Sequence, residues 1–325
     1  MKNKFSFIKL TWAALMALST LGFASCSRSL ETRTQSISSD FDAIEIITDT
    51  ADVILTSASD SECKVVTYEH KKTPYTPEVN DGKLTIRVND RRSWFEKIFT
   101  PKMTLTLYLP ETKYGVLLIA CDTGNLTIGS HFGFDSVNLS TDTGNIDVKD
   151  VDCNALALEV STGNVSLTHV SSMGKIGINS DTGYVKINGS AAEEISTVSD
   201  TGGTEITSCN ASKISIASDT GRIGFDDVSC SLLGIKSRTG NINLKNVIAE
   251  ESFDIQSSTG NVELENCDAS SVFVKTSTGD VTGNFLTDKI IFADTSTGKV
   301  DIPKLTSGGR CEITTSTGDI KITVN

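Results

Sequence analysis

The dipeptide Thr-Gly returns at an almost constant interval over the last two-thirds of the chain. The intervals between its glycines are 19 or 20 residues. A unit of this length is too short to bury a core by itself, so consecutive units must stack on one another. The glycines are Gly124, Gly144, Gly163, Gly183, Gly202, Gly221, Gly240, Gly260, Gly279, Gly298 and Gly318.

Apolar residues occupy fixed places around each threonine, and polar residues alternate with them. Apolar side chains recur six and four residues before the threonine, three and five residues after it, and again eight residues after it. This period of two predicts a strand on each side of a turn, with one face inward. Glycine at a constant turn position indicates a backbone with φ > 0. The first of these columns is Leu117, Val137, Leu156, Ile176, Ile195, Ile214, Leu233, Phe253, Val272, Ile291 and Cys311.

These patterns predict the fold class and the division of the chain. The class is all-β: a parallel β-solenoid, or single-stranded β-helix, of about eleven 19–20-residue coils, forming a rod on the order of 50 Å long. Residues 117–325 form the solenoid. Residues 41–116 alternate less regularly, carry the hairpin signal Asp81-Gly82, and form a β-rich N-terminal cap over the first coil. Residues 26–40, rich in Ser and Thr, are a flexible tether.

Residues 1–25 have the order of a secretory signal peptide, with lysines followed by an apolar run. The run ends in Phe23-Ala24-Ser25-Cys26, which resembles a bacterial lipobox and predicts lipid attachment at Cys26. Ser27 and Arg28 follow in place of an acidic cluster, which favours the periplasmic face of the outer membrane. Loss of the signal removes three lysines and no acid, so the net charge falls from −12 to −15. Such a surface excludes nucleic acid as a partner.

The coils with Ser/Asp-Thr-Gly-Asn/Asp turns follow a Phe-Asp-Ala-Ile-Glu-Ile strand and an Asp-Gly-Lys-Leu-Thr-Ile strand. This combination resembles the bacterial β-strand-repeat envelope proteins known as the "putative adhesin" family, a domain of unknown function related to the adhesin head domain of autotransporters. The resemblance covers residues 41–325. It implies a β-solenoid at the cell envelope and brings no catalytic residues with it.

No constellation in the sequence predicts catalysis or a cofactor. Asp-Thr-Gly, a signature of aspartic proteases, occurs five times, but serine or arginine replaces the aspartate in other coils, so the residue behaves as a turn former. Asp181, Asp200 and Asp219 occupy three consecutive coils and are candidates for sharing a cation such as Ca²⁺, although solvated turn carboxylates explain them equally simply. Arg238 in the next coil is placed to pair with Asp219.

The remaining titratable residues predict structural roles. Seven cysteines besides Cys26 lack metal-site spacing and read as small buried hydrophobes. The three histidines read as isolated surface residues. A basic, aromatic segment at 87–102 either caps the solenoid or touches a membrane or glycan. Its members are Arg87, Arg91, Arg92, Trp94, Phe95, Lys97, Ile98, Phe99 and Lys102.

The sequence as a whole predicts a non-enzymatic envelope lipoprotein, an adhesin-like or scaffolding rod that presents a repetitive surface. Its expected partners are the membrane through the lipid, an envelope protein or glycan, and a second copy joined end to end at the C-terminal coil, whose last strand has no covering segment after it. A carbohydrate-active β-helix enzyme or glycan-binding module is the alternative. A deep groove lined by Arg, Lys and carboxylates would favour that alternative.

Overall fold

The computed structural model describes residues 30–88, 90, 92–93 and 101–325, and every regular element in them is a β-strand. All strands belong to one continuous sheet that winds into a parallel solenoid, so the predicted fold class is confirmed. The strands are β1 Leu30–Ile37, β2 Ala43–Thr48, β3 Ala51–Ser57, β4 Cys63–His70, β5 Pro77–Asn80, β6 Lys83–Val88, β7 Met103–Leu109, β8 Lys113–Thr123, β9 Leu126–Thr143, β10 Ile146–Thr162, β11 Val165–Ser172 and β12 Lys175–Thr182. The remainder are β13 Val185–Asn188, β14 Ala191–Thr201, β15 Thr204–Thr207, β16 Asn210–Thr220, β17 Ile223–Thr239, β18 Ile242–Thr259, β19 Val262–Thr278, β20 Val281–Phe285, β21 Lys289–Thr297, β22 Val300–Asp301, β23 Gly309–Thr317 and β24 Ile320–Val324.

Stacked coils pair in register, so each repeat position becomes a column along the rod. Ile146 of β10, for example, lies between Leu126 of β9 and Val165 of β11. All three side chains are fully buried. The period-two pattern in the sequence therefore builds a single core whose layers are the repeat positions themselves.

The turn glycine of each coil touches the turn of the coil before it. Gly221 has a φ of +155°, and a Cβ placed on it would lie 1.7 Å from the carbonyl oxygen of Gly202. The residue must therefore be glycine for two reasons, its backbone conformation and the close approach of the two turns.

A column of small polar residues lies inside the rod, two positions before each Thr-Gly threonine. Ser180, Ser199, Ser218, Ser237 and Ser257 of this column are buried, and their hydroxyls make no hydrogen bond with the protein. Four other coils place threonine here, and its hydroxyl donates to a turn-glycine carbonyl, while Cys121 and Val160 take the position in the remaining two. The alternation read from the sequence counts only apolar residues as inward-facing and misses this column.

The N-terminal segment is built into the solenoid rather than placed over it as a separate cap. The coil of β2 and β3 lies between the coil of β6 and β7 and the coil of β8 and β9. Strand β8 crosses residue 117, so the predicted boundary between 41–116 and 117–325 does not divide the core. The structure thus corrects that division, because these strands bury the same inward face as the Thr-Gly coils.

Three antiparallel strands cover the N-terminal end of the rod. Strand β5 pairs with β6 through a turn at Asp81 and Gly82, both with positive φ, as the hairpin signal predicts. Strand β4 pairs with β7, and β1 pairs with β4. Residues 30–37 of the predicted tether therefore form a strand. Their threonines suit a strand, and β4 offers an open edge for them to join.

At the C-terminal end, as at the N-terminal end, the coils do not stack in the order of the sequence, an arrangement we call interleaved. The last coil of the chain, β23 and β24, lies between β19 and β20 on one side and β21 and β22 on the other. Ile322 in it is only 1% exposed. The prediction that the C-terminal coil forms the free end of the rod is therefore wrong, and the outermost coil is 289–301.

Candidate functional site

The carboxylate column predicted from the sequence lies on the outside of three consecutive turns. The pairing of Thr182 with Thr201 and of Thr201 with Thr220 brings Asp181, Asp200 and Asp219 onto neighbouring coils. Asp219 forms an ion pair with Arg238 of the next coil at 2.9 Å between Oδ2 and Nη1. Within the described ranges no group of three or more His, Cys, Asp or Glu side chains is placed to hold a metal ion. Cation binding by this column stays a prediction.

The cysteines of the described residues are buried and unpaired, as predicted. Burial raises the pKa of the Cys230, Cys267 and Cys311 thiols to about 12, so they remain protonated and poor nucleophiles. They serve as apolar packing groups.

The three histidines do not converge on a common site. His131 and His169 are exposed, and His169 Nδ1 lies 3.2 Å from Asp150 Oδ1. His70 is buried, and its Nδ1 accepts a hydrogen bond from the Lys72 backbone at 3.2 Å. The prediction of a surface residue is wrong for His70, because the chain after β4 turns back over it.

Only part of the basic, aromatic segment 87–102 lies in the described residues. Arg92 is buried and binds Asp90, with 2.7 Å between Nη2 and Oδ2. Burial alone would raise the pKa of Asp90, but hydrogen bonds from Arg92 and Thr50 outweigh it and lower the pKa to about 2. Arg87 and Lys102 form ion pairs with acidic residues of neighbouring strands. Arg91, Trp94, Phe95, Lys97, Ile98 and Phe99 lie outside the described residues, as does Cys26 with the predicted signal peptide.

The feature with the clearest capacity to bind another molecule is the outermost coil, which we name the open coil (residues 289–301). Among the described residues, its strands β21 and β22 have a parallel neighbour on one side only. In inner coils the turn-glycine N–H donates to the next coil, as Gly221 does to the Thr239 carbonyl at 2.9 Å. The equivalent N–H of Gly298 meets no further coil in the described part of the chain. An edge of this kind is a template for strand addition.

The surface around the open coil exposes large apolar side chains and has no net charge. Phe292 is 56% exposed, and Leu286 and Val300 are each 43% exposed. Residues 286–304 carry three acidic and three basic side chains, so this end is neutral in a chain of net charge −12. The opposite end differs, since β5 and β4 cover the edges of β6 and β7 there.

Comparison with known proteins places the chain among β-repeat proteins. The family model Toastrack DUF4097 matches residues 41–202 and again 175–325. No curated protein matches. Among solved structures, a "putative adhesin" from Bacteroides fragilis is 15% identical, with 92% of this chain and 99% of that chain covered and a TM-score of 0.36. A "putative adhesin" from Parabacteroides distasonis is 14% identical, with 90% and 97% covered and a TM-score of 0.42. A "putative lipid binding protein" from the same species is 15% identical, with 91% and 97% covered and a TM-score of 0.36.

The described residues contain no helix with the length and apolarity needed to cross a bilayer.

Proposed function

This chain belongs to the Toastrack DUF4097 family, and we propose that it is a non-enzymatic, adhesin-like scaffolding rod of the bacterial envelope that joins a second copy end to end at the open coil. The observation that carries the proposal is the difference between the two ends. At one end antiparallel strands cover the coil edges, and at the other β21 and β22 present an unpaired edge.

A second copy is the occupant that this end fits best. The antiparallel strands at the opposite end leave no parallel coil edge exposed there, so an open coil meets its own kind of edge only in another open coil, and a two-fold pair closes without growing into a fibre. The balanced charge of residues 286–304 spares two identical ends the repulsion that the mature chain's net charge of −15 would otherwise impose. Phe292 and Val300 supply the apolar area that both copies would bury.

Strand β1, at the covered end of the rod, begins at Leu30, four residues after Cys26 in the sequence. A lipid on Cys26 would therefore be joined to the rod at its covered end. A pair joined through the open coils would therefore carry its two lipids at its two far ends. We place the anchored rod on the periplasmic face of the outer membrane, on the strength of the lipobox-like sequence and of Ser27-Arg28 after Cys26. Such a pair would link two points of the envelope.

The test is the mass of a lipid-free form of the mature chain, residues 27–325, in solution as its concentration rises to about 100 µM. We expect the wild type to dimerise and the double variant Phe292→Lys, Val300→Lys to stay monomeric, since lysine on an edge strand opposes pairing. The matched control is Met173→Lys, because Met173 is 75% exposed and distant from the open coil. It should dimerise like the wild type. A wild type that remains monomeric, or a double variant that still dimerises, would refute the proposal.

A further inference from the structure

Three consecutive coils in the middle of the rod break a regular hydrogen-bonded column. In most other coils an asparagine or aspartate follows the turn glycine, and its Oδ1 accepts the backbone N–H of the equivalent residue in the next coil. Asn125 accepts from Asn145 at 2.9 Å, and Asn145 accepts from Asn164 at 2.8 Å. The same position holds Tyr184, Gly203 and Arg222 before asparagine returns at 241.

The interruption changes which polar groups the surface offers. Because tyrosine, glycine and arginine carry no amide oxygen here, the N–H groups of Gly203, Arg222 and Asn241 lack the acceptor that the column supplies elsewhere. These three donors are stacked one coil apart. They are available to an oxygen atom from outside the protein.

Arg222, the middle residue of these three, lines a groove on the outer face of the adjoining strands. Its floor is Gly224, which occupies an outward position between Glu205 and Asn243 of the neighbouring coils. A Cβ added to Gly224 would meet nothing within 4 Å, so the missing side chain leaves open space. The groove encloses about 410 Å³, a volume within the range of small-molecule sites.

An aromatic ring forms one side of the groove and is held in place. Tyr184 is 42% exposed, and its ring packs on Gly203, where an added Cβ would lie 2.4 Å from a ring carbon. Its phenol donates a hydrogen bond to Glu205 Oε2 at 3.2 Å. The glycine at 203 thus makes room for the ring, and Glu205 fixes its direction.

The remaining lining is polar and carries both donors and acceptors. Carboxylates come from Glu205, Asp226, Glu263 and Glu265, cations from Arg222 and Lys245, and an amide from Asn243. Four acids against two bases disfavour an anionic ligand such as a nucleotide or a phosphosugar. A ligand that offers hydroxyl groups to acceptors and donors alike, together with an apolar C–H face for the ring, satisfies every part of this lining.

We propose that the Gly224 groove is a binding site for a pyranose unit of an uncharged glycan. In this arrangement the sugar ring lies against Tyr184, while its hydroxyls bond to the carboxylates, to Asn243 and to Arg222. The groove is several coils away from the open coil. Glycan binding and end-to-end pairing are therefore independent, and either can fail without the other.

The test titrates the mature chain separately with chitotetraose, cellotetraose, maltotetraose and mannotetraose, by calorimetry and by saturation-transfer NMR. We expect saturable binding of at least one tetramer with a Kd below about 1 mM. Gly224→Gln should weaken that binding at least about tenfold, because its side chain fills the groove. The matched control is Gly129→Gln, since Gly129 also lies in a strand, also has nothing within 4 Å of an added Cβ, and is remote from the groove.

Two further readouts sharpen the test. Arg222→Asn should weaken binding, because the new amide restores an acceptor for the N–H of Asn241 and removes a donor from the groove. The far-ultraviolet spectra and melting curves of all variants should match the wild type, since every substituted site is exposed or open. Absence of saturable binding by all four tetramers would overturn the proposal, and so would equal affinity of Gly224→Gln and Gly129→Gln for the sugar.

Discussion

The stacking of turn glycines makes a sharp prediction about Gly221→Ala. The substitution places a methyl group 1.7 Å from the Gly202 carbonyl oxygen. Because real Cβ contacts essentially never fall below 3.0 Å, the two turns must separate by more than an ångström. The new Cβ also sits on a backbone with φ of +155°, a conformation that L-residues rarely adopt.

The expected cost follows from these two effects. The unfavourable backbone conformation costs about 1–3 kcal/mol. Forcing extra volume into close packing costs about 1–3 kcal/mol more, so we expect a loss of about 4 kcal/mol. For a domain of roughly 300 residues, with an unfolding entropy near ~2.1 cal/mol/K per residue, this lowers the Tm by about 6 °C.

The assay is thermal unfolding followed by circular dichroism, with Gly224→Ala as the control. Gly224 lies three residues further along the same coil, has no positive φ, and has open space where the methyl group would go. Its variant should melt within about 1 °C of the wild type, as surface changes of this kind cost at most ~0.5 kcal/mol. Hydrogen exchange should also show faster opening around residue 221 in the Gly221 variant. Equal melting temperatures for the two variants would refute the idea that contact between turns sets the coil spacing.

Three further predictions concern the interior, acid stability and the anchor. Ser237→Ala should leave the Tm unchanged or raise it, because it removes a buried hydroxyl without a partner, and a destabilised Ser237→Ala would contradict this. Thr315→Ser keeps the hydroxyl bond to the Gly279 carbonyl, which is 3.1 Å long in the wild type, and Thr315→Ala loses it, so the free energies of unfolding of these two variants should differ by about 1 kcal/mol. Because the pKa of Asp90 is lowered to about 2, its ionised form stabilises the fold fully above the ordinary aspartate pKa near ~4. Up to about 2 kcal/mol of the free energy of unfolding should be lost as the pH falls from about 4 to 2, and acid-unfolding curves of Asp90→Asn should not show this loss. Cys26→Ala should abolish fatty-acid labelling and move the protein out of the membrane fraction, and unchanged labelling would disprove lipid attachment there.

The sequence predicts the coil well because the coil is a local object. Leu156 and Ile146 are buried, as the equivalent residues of other coils are. Once the turn is fixed, alternation along the strand determines which side chains face inward. The serine column escapes this reasoning. A serine such as Ser218 looks polar in the sequence, and only the stacked turns show that its small side chain is enclosed.

The order in which coils stack cannot be read from the period, because each coil offers the same pairing pattern to every other coil. The interleaving at the two ends is therefore invisible to the repeat analysis. One coil does carry a signal in retrospect. It has Ala293 where most other coils place a larger apolar residue, and Pro303 soon after β22, and both features suit a coil with no neighbour on one side. Sequence analysis misses the groove at Gly224 for a related reason. A glycine at an outward position forms a groove only when larger side chains of the neighbouring coils stand beside it.

The interleaved ends also determine how the rod can fray. In a simple solenoid the outermost coil is the chain terminus, so it peels off as a loose tail and gains the full freedom of an unattached segment. Here the outermost coil, 289–301, is followed by the coil that lies beneath it. If it detaches, both of its ends stay held, and it becomes a closed loop with less entropy to gain. The coil beneath it is meanwhile held between two others, since Ile320 pairs with Val281 on one side and with Val300 on the other. Loss of the outermost coil therefore starts from a loop that is closed at both ends, and not from a loose tail.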